Sequence, residues 1–261
     1  AGGSLTVNST TGTDDVRVDG QLRLDGTAGA VTLTVAGGSQ INNNVANGII
    51  VTDSTNLVTV SSGGTATLIG NALNLNGKSL QLGGISTALA HTLGADEVLT
   101  LVGTVSFSGG LTVNGNGTTA VAVGTQMLNV TGLTISAGAV SVTTGTINAS
   151  GSTVTINGGT LSFNGTPGGF SCGDFTFSSG TVNNSAVNTI TASGNVTILG
   201  TFTYPANSTL VMTGTGKTLT AVPQIGSLHI GTGTTGTGSG PTAAITLGSD
   251  LQLAGNMEIN D

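Results

Sequence analysis

The chain has 261 residues, a formal net charge of −7, only 6% charged residues, 45 glycines and no tryptophan. A soluble globular domain devotes about a quarter of its residues to charge, so an ordinary enzyme with a charged coat is disfavoured. Apolar residues make up 37%, prolines number four and mean hydropathy is positive, which also argues against a disordered Gly/Ser/Thr linker.

The acidic balance offers no basic footprint for nucleic acid and no attraction to an anionic membrane surface. No run approaches the roughly 18 consecutive apolar residues of a membrane-spanning helix. No basic start followed by an apolar stretch marks a secretory leader. The chain opens at Ala1 rather than Met, as a mature, processed or excised segment would.

In chain order, Val16-Arg17-Val18-Asp19-Gly20-Gln21 is echoed by Leu22-Arg23-Leu24-Asp25-Gly26-Thr27. A two-residue hairpin at Asp19-Gly20 would set Val18 opposite Gln21 and Arg17 opposite Leu22, mixing polar and apolar residues on one face. Successive corners at Asp19-Gly20 and Asp25-Gly26 keep all four aliphatics on one side, and register favours them. The acids Asp14, Asp15, Asp19 and Asp25 accompany Arg17 and Arg23. Calcium would need about six to eight converging oxygens, and the calcium-binding nonapeptide repeat is absent. The cluster reads as a solvated face, or as an electrostatic contact in assembly.

Residues 87–99, TALAHTLGADEVL, carry the only helix-forming stretch together with Asp96-Glu97, and are expected to form an excursion or short helix. From Leu133 the chain falls into blocks of seven: LTISAGA, VSVTTGT, INASGST, VTINGGT and LSFNGTP. Each opens with apolar residues spaced by two, from Leu133/Ile135 to Leu161/Phe163, and spends the rest on Ser, Thr, Asn, Ala and Gly. Spacing of two is strand geometry, and glycine costs up to about 1 kcal/mol in a helix, so a coiled coil is excluded. The triplet returns at Phe175-Thr176-Phe177 and at Val196-Thr197-Ile198, and Phe163, Phe175, Phe177 and Phe202 fall at inward positions.

The lone cysteine, Cys172, has no neighbouring base and reads as a small buried hydrophobe. His91 and His229 lack ligand spacing to another His or Cys and are expected to be outward-facing or locally bonded. Residues 231–241, GTGTTGTGSGP, are expected as a loop. Gly231 to Gly236 fits a dinucleotide-binding pattern, but TGSGP cannot form the helix that such a site requires. Gly214-Thr215-Gly216-Lys217-Thr218 ends like a phosphate-binding loop, with Val211 where the first glycine must be. The terminal LGSDLQLAGNMEIND stops inside a strand-like repeat, and exposed end coils need a cap or a partner. Asp14, Asp15, Arg17, Arg23, Met257 and Ile259 are therefore the candidate assembly contacts.

Very short strands joined by Gly/Asn corners describe an all-β chain, a parallel β-solenoid elongated over residues 1–261, with a β-sandwich as the alternative. Three blocks predict a triangular coil near 21 residues, hence about a dozen coils and a rod of about 60 Å. No Asp, Glu, Lys, Arg or His occurs from Val98 to Gly173 or from Phe175 to Gly216. A catalytic centre needs such groups within reach of one another, so no catalytic residue, cofactor or metal is expected. Asn-x-Ser/Thr sequons at Asn8, Asn116, Asn129, Asn148, Asn164, Asn183, Asn195 and Asn207 are what a Ser/Thr-rich chain yields by chance. The threonine pairs Thr32/Thr34, Thr153/Thr155, Thr189/Thr191 and Thr218/Thr220 are similar to ice-binding solenoid faces. Such a face needs threonine in register on one side of every coil. Across 133–167 the outward residue varies among Thr, Ser and Asn, which counts against that reading.

The strand–corner blocks, above all TLVMTGTGKTLTA, SLHIGTGTTG and AITLGSDLQLAGNMEIN, resemble the Gly/Thr/Asn-rich repeats of large secreted bacterial surface proteins of the haemagglutinin and autotransporter-adhesin type. Residues 1–130 match that style less well. The resemblance implies an extracellular or cell-surface location and a structural or adhesive task. The expected function is a subunit or segment of an extracellular fibre, sheath or surface layer whose partner is itself, as a homopolymer or as neighbouring repeats. A stalk of a longer adhesin is the alternative, with a host or surface glycan as its partner. A solenoid polysaccharide-degrading enzyme would need carboxylates lining one groove, and here only Asp96/Glu97 and the N-terminal acids offer them.

Overall fold

A computed structural model describes residues 3–7, 16–165, 168–184, 189–200, 208–231 and 245–259. Among them are 27 strands and no helix, and the strands stack as a parallel β-solenoid. The blocks of seven explain the winding. The fourth stacks on the first, with Leu133, Thr134 and Ile135 paired to Val154, Thr155 and Ile156. The second lies beneath the fifth, Val140 to Leu161 and Val142 to Phe163. The third lies beneath Phe170 and Cys172 through Ile147 and Ala149. Three blocks therefore make one turn, and each turn contributes a rung to three faces.

The first face begins with Gly3–Val7 and Val31–Val35, the second with Val16–Val18 and Gln40–Asn43, and the third with Leu22–Asp25 and Ile49–Asp53. Some strands bend from one face to the next without a break, as Val58–Gly70 and Val154–Phe163 do. Eleven successive pairings stack twelve rungs on the second face, from Val16–Val18 to Met257–Ile259, in line with the dozen coils expected. The early turns are longer: Val31 pairs with Val58, a wider step than Leu133 to Val154. At about 4.8 Å per step the stack is about 55 Å long. Part of the added length forms an asparagine corner, where buried Asn43 donates through Nδ2 to the carbonyls of Asn71 (3.0 Å) and Ala72 (3.2 Å). Asn71 Nδ2 returns a bond to the Asn43 carbonyl at 2.8 Å.

Alternation places one side chain in two inside, and the inward ones merge into one continuous apolar cluster from Val18 to Ile230. Val16 and Leu22 pack against it while Val18 and Leu24 are buried, so Asp19-Gly20 is a corner between faces rather than a hairpin. Phe163, Phe175 and Phe177 are buried as expected. Phe170 meets Phe163 and Phe175 edge-on at 5.8 and 6.0 Å, a favourable arrangement of ring quadrupoles. Phe202 lies outside the described residues, as does the expected 231–241 loop apart from Gly231.

Residues 87–99 are not a helical excursion. His91–Leu93 and Val98–Leu101 are strands in register with Leu111–Asn114 and Ser79–Thr87. Burial of alternate residues outweighs the modest helix propensity of Ala, Leu and Glu. The acids bind the corner: Asp96 takes a left-handed φ of 64°, and Glu97 accepts the Gly94 and Gly77 N–H groups at 2.8 and 3.2 Å.

The corner between Leu133–Ala137 and Ala139–Val142 depends on Gly138. Its φ is 81°, and a Cβ there would fall 2.6 Å from the Thr119 carbonyl oxygen. That oxygen accepts the Ala139 N–H at 2.9 Å. Gly138→Ala is expected to cost about 1–3 kcal/mol of stability, read as a lowered denaturation midpoint. An unchanged midpoint would contradict this geometry.

Candidate functional site

Several of the acids of the described residues sit at corners between faces, while Arg17, Arg23, Lys217 and Glu258 lie on strands. Arg17 Nε lies 2.7 Å from Asp19 Oδ2, with both side chains well exposed. Asn44 Nδ2 donates to Asp19 Oδ1 at 2.6 Å. That bond first, and Arg17 second, hold Asp19 below the usual carboxylate range. Thr27 does the same for Asp25 through its hydroxyl and backbone N–H. Asp96 is lowered by the hydroxyl of Thr118 and then by Asn116. Each acid is thus occupied in a local turn. Among the described residues no three His, Cys, Asp or Glu side chains lie close enough to hold a metal ion.

Both histidines are buried, at 7% exposure for His91 and 5% for His229; His91 faces the core, against expectation, whereas His229, between core-facing Leu228 and Ile230, lies on the outward side of its strand. His91 stacks on Phe107 at 5.5 Å, because it pairs with inward Leu111 on the next turn. Burial pushes its pKa down, with Glu97 opposing in part. The enclosed apolar cavity beside it, lined by Leu68, Leu73, Leu99 and Phe107 among others, measures about 10 Å³. That is room for about one water and no ligand. Cys172 is buried as expected, its thiol pushed up to about 12 by burial and then by Asp174.

Two features of the solenoid remain as candidate sites. One is the pair of open ends. Leu5 pairs with buried Leu33, so it faces the core, yet it is 50% exposed. At the other end Met257 and Ile259 face the core above Leu228 and Ile230 and are 49% and 59% exposed. Leu247, above Leu219, is 48% exposed. The strands Gly3–Val7, Ile245–Leu247 and Met257–Ile259 each have one described neighbour, which leaves one backbone edge without a partner among the described residues. Of the expected assembly contacts, Met257 and Ile259 lie at this end, while Arg17 and Arg23 project from exposed positions on the second and third faces. Asp14 and Asp15 lie outside the described residues. Leu5 and Leu247 escaped sequence reasoning, since only pairing shows that they close no turn.

The second feature is a column of threonines on the third face. Thr92, Thr112, Thr134, Thr155, Thr176, Thr197 and Thr220 occupy one outward position on successive turns, each in register with the next. The variation among Thr, Ser and Asn across 133–167 is therefore variation between faces. Ser141 and Ser162 belong to the first face, and Asn129 and Asn148 to the second. The expectation that this variation counts against a threonine face is overturned, because consecutive blocks never share a face.

No protein-family model, curated protein or solved structure matches the chain.

The polar columns differ in how they use their side chains. On the second face Asn129 Nδ2 donates to Ser106 Oγ and Asn148 Nδ2 to Asn129 Oδ1, both at 3.2 Å, and Ser171 Oγ donates to Asn148 Oδ1 at 3.1 Å. The side chains of Thr112, Thr134, Thr155 and Thr176 make no hydrogen bond to a described residue, and all four are partly exposed.

The buried histidine generates a pH prediction. His91 has a folded-state pKa below its unfolded one, so the unfolded chain binds the extra proton first. Its contribution is complete above about pH 6.5 and is lost as pH falls through that value towards the folded pKa. The melting temperature is expected to fall from about pH 8 to about pH 5, and His91→Phe is expected to flatten the fall. Equal slopes in both proteins would assign the dependence to other groups.

Proposed function

We propose that this protein is structural: a β-solenoid rod acting as a subunit or segment of an extracellular fibre, sheath or surface layer. The observation that carries the reading is the state of its ends, where core-facing Leu5, Leu247, Met257 and Ile259 stay half exposed beside strand edges that have no partner among the described residues. A parallel edge bordered by apolar side chains is a template for another strand. The partner is a further turn of the same kind, supplied by another copy or by neighbouring repeats, and the joint continues both ladder and core. Extracellular placement follows from the resemblance of the repeats to secreted bacterial surface proteins. In this reading the protein performs no catalysis.

The ends meet with little charge opposing them, since Glu258 and Asp250 are the only acids of the described C-terminal strands and corner. Light scattering and electron microscopy of the purified chain are expected to show concentration-dependent, end-to-end growth into filaments or sheets. Ile259→Asp or Leu5→Asp should shift that growth to higher concentration, since a charge at the joint must be desolvated. Rods that stay single at every concentration would overturn self-assembly and favour a stalk within a longer adhesin.

A further inference from the structure

We propose that the threonine column of the third face binds the surface of ice. The inference is independent of the assembly reading, because it rests on the side of the rod and not on its ends. Its first support is regularity. From Thr92 to Thr220 the same side chain recurs on every turn without a register shift at that position. The backbone ladder fixes the step at about 4.8 Å, close to the repeat of oxygen rows in crystalline ice. A β-branched side chain is stiff at χ1, and packing above and below restricts it further, so hydroxyls and methyls form fixed rows.

A second support is that these hydroxyls are not used inside the protein. The second face shows the alternative, an asparagine–serine column whose groups bond one another across turns. A hydroxyl already engaged cannot join an external lattice, whereas those of Thr112, Thr134, Thr155 and Thr176 can. Strand propensity alone does not explain the column, since it would place threonine equally on all three faces. The first face carries Ser141, Ser162 and Ala122 at the matching positions.

Charge gives a third. Ions hold hydration shells that do not fit a crystal lattice, and between Val98 and Gly216 the only Asp, Glu, Lys, Arg or His is Asp174. Its Oδ1 accepts the Asn195 N–H at 2.6 Å, which ties it into the corner. Sugar polymers, the other extended and regular surfaces, are usually gripped by aromatic platforms. Phe163, Phe170, Phe175 and Phe177 are all buried. Water ordered as a solid is the ligand that an uncharged, repeating row of hydroxyls and methyls fits.

The test uses the purified chain in an ice-recrystallisation assay, together with microscopy of single ice crystals grown in its presence. The expected result is suppressed recrystallisation at micromolar concentration and faceted crystals. Thr155→Lys and Thr176→Tyr should each need at least about tenfold more protein for the same suppression, since each builds a clash into the row. Ser162→Lys, on the first face, should behave as the parent does. Circular dichroism melts of all variants separate a folding defect from a binding defect, and two rungs are tested so that one misfolded variant does not decide the result. The proposal is overturned if the parent suppresses recrystallisation no better than an equal mass of an inert protein. It is equally overturned if folded Thr155→Lys and Thr176→Tyr match the parent, or if Ser162→Lys loses as much as they do.

Discussion

Every feature of this molecule depends on one arrangement: a short strand lying parallel and in register on the equivalent strand of the turn below. The backbone ladder sets the spacing, and the alternation of side chains decides what lies inside. Because like positions stack on like, Leu133 over Val154 and Val140 over Leu161 build a core no wider than a few side chains. A shift of one residue would turn that core outward and bring threonine and serine in. Glycine and asparagine corners make the winding possible by turning the chain between faces in very few residues.

The same arrangement makes the outer surface a set of columns, and each column has its own chemistry. The asparagine–serine column of the second face is internally bonded, which adds to the cohesion between turns. The threonine column leaves its hydroxyls to the solvent. The scarcity of charge in the middle of the chain is compatible with both, since stacked like charges would repel at about 5 Å spacing. Four of its acids, Asp19, Asp25, Asp96 and Glu97, serve the corners, where they accept hydrogen bonds from turn residues.

The seven-residue blocks were legible in the sequence because spacing of two and Gly-rich corners are local signals. Assigning blocks to faces needed the number of blocks per turn, a property of pairing between distant residues. For that reason the threonines of 134, 155, 176 and 197 looked scattered until stacking aligned them. Residues 87–99 looked helical because Ala, Leu and Glu dominate a short window, while their burial partners lie some 20 residues away. His91 went inward for the same reason: its position in the alternation outweighed its polarity, and stacking on Phe107 with a depressed pKa accommodates it. The open ends at Leu5 and Leu247 carried no local signal, since an inward residue reads the same whether or not a further turn covers it.

Both the open ends and the threonine column depend on three blocks making one turn. Its most direct test is disulfide trapping between cysteines placed at outward positions of different blocks. The buried native Cys172, its thiol pushed up to about 12, does not compete. Thr134→Cys with Thr155→Cys sets two thiols on adjacent strands, at a Cα separation of about 5 Å that a disulfide spans. Thr134→Cys with Ser141→Cys sets them on different faces. Rapid oxidation of the first pair within single chains, with the second pair staying reduced, is the predicted result. Cross-linking of the second pair in preference to the first would contradict the winding, and with it both the open ends and the threonine column.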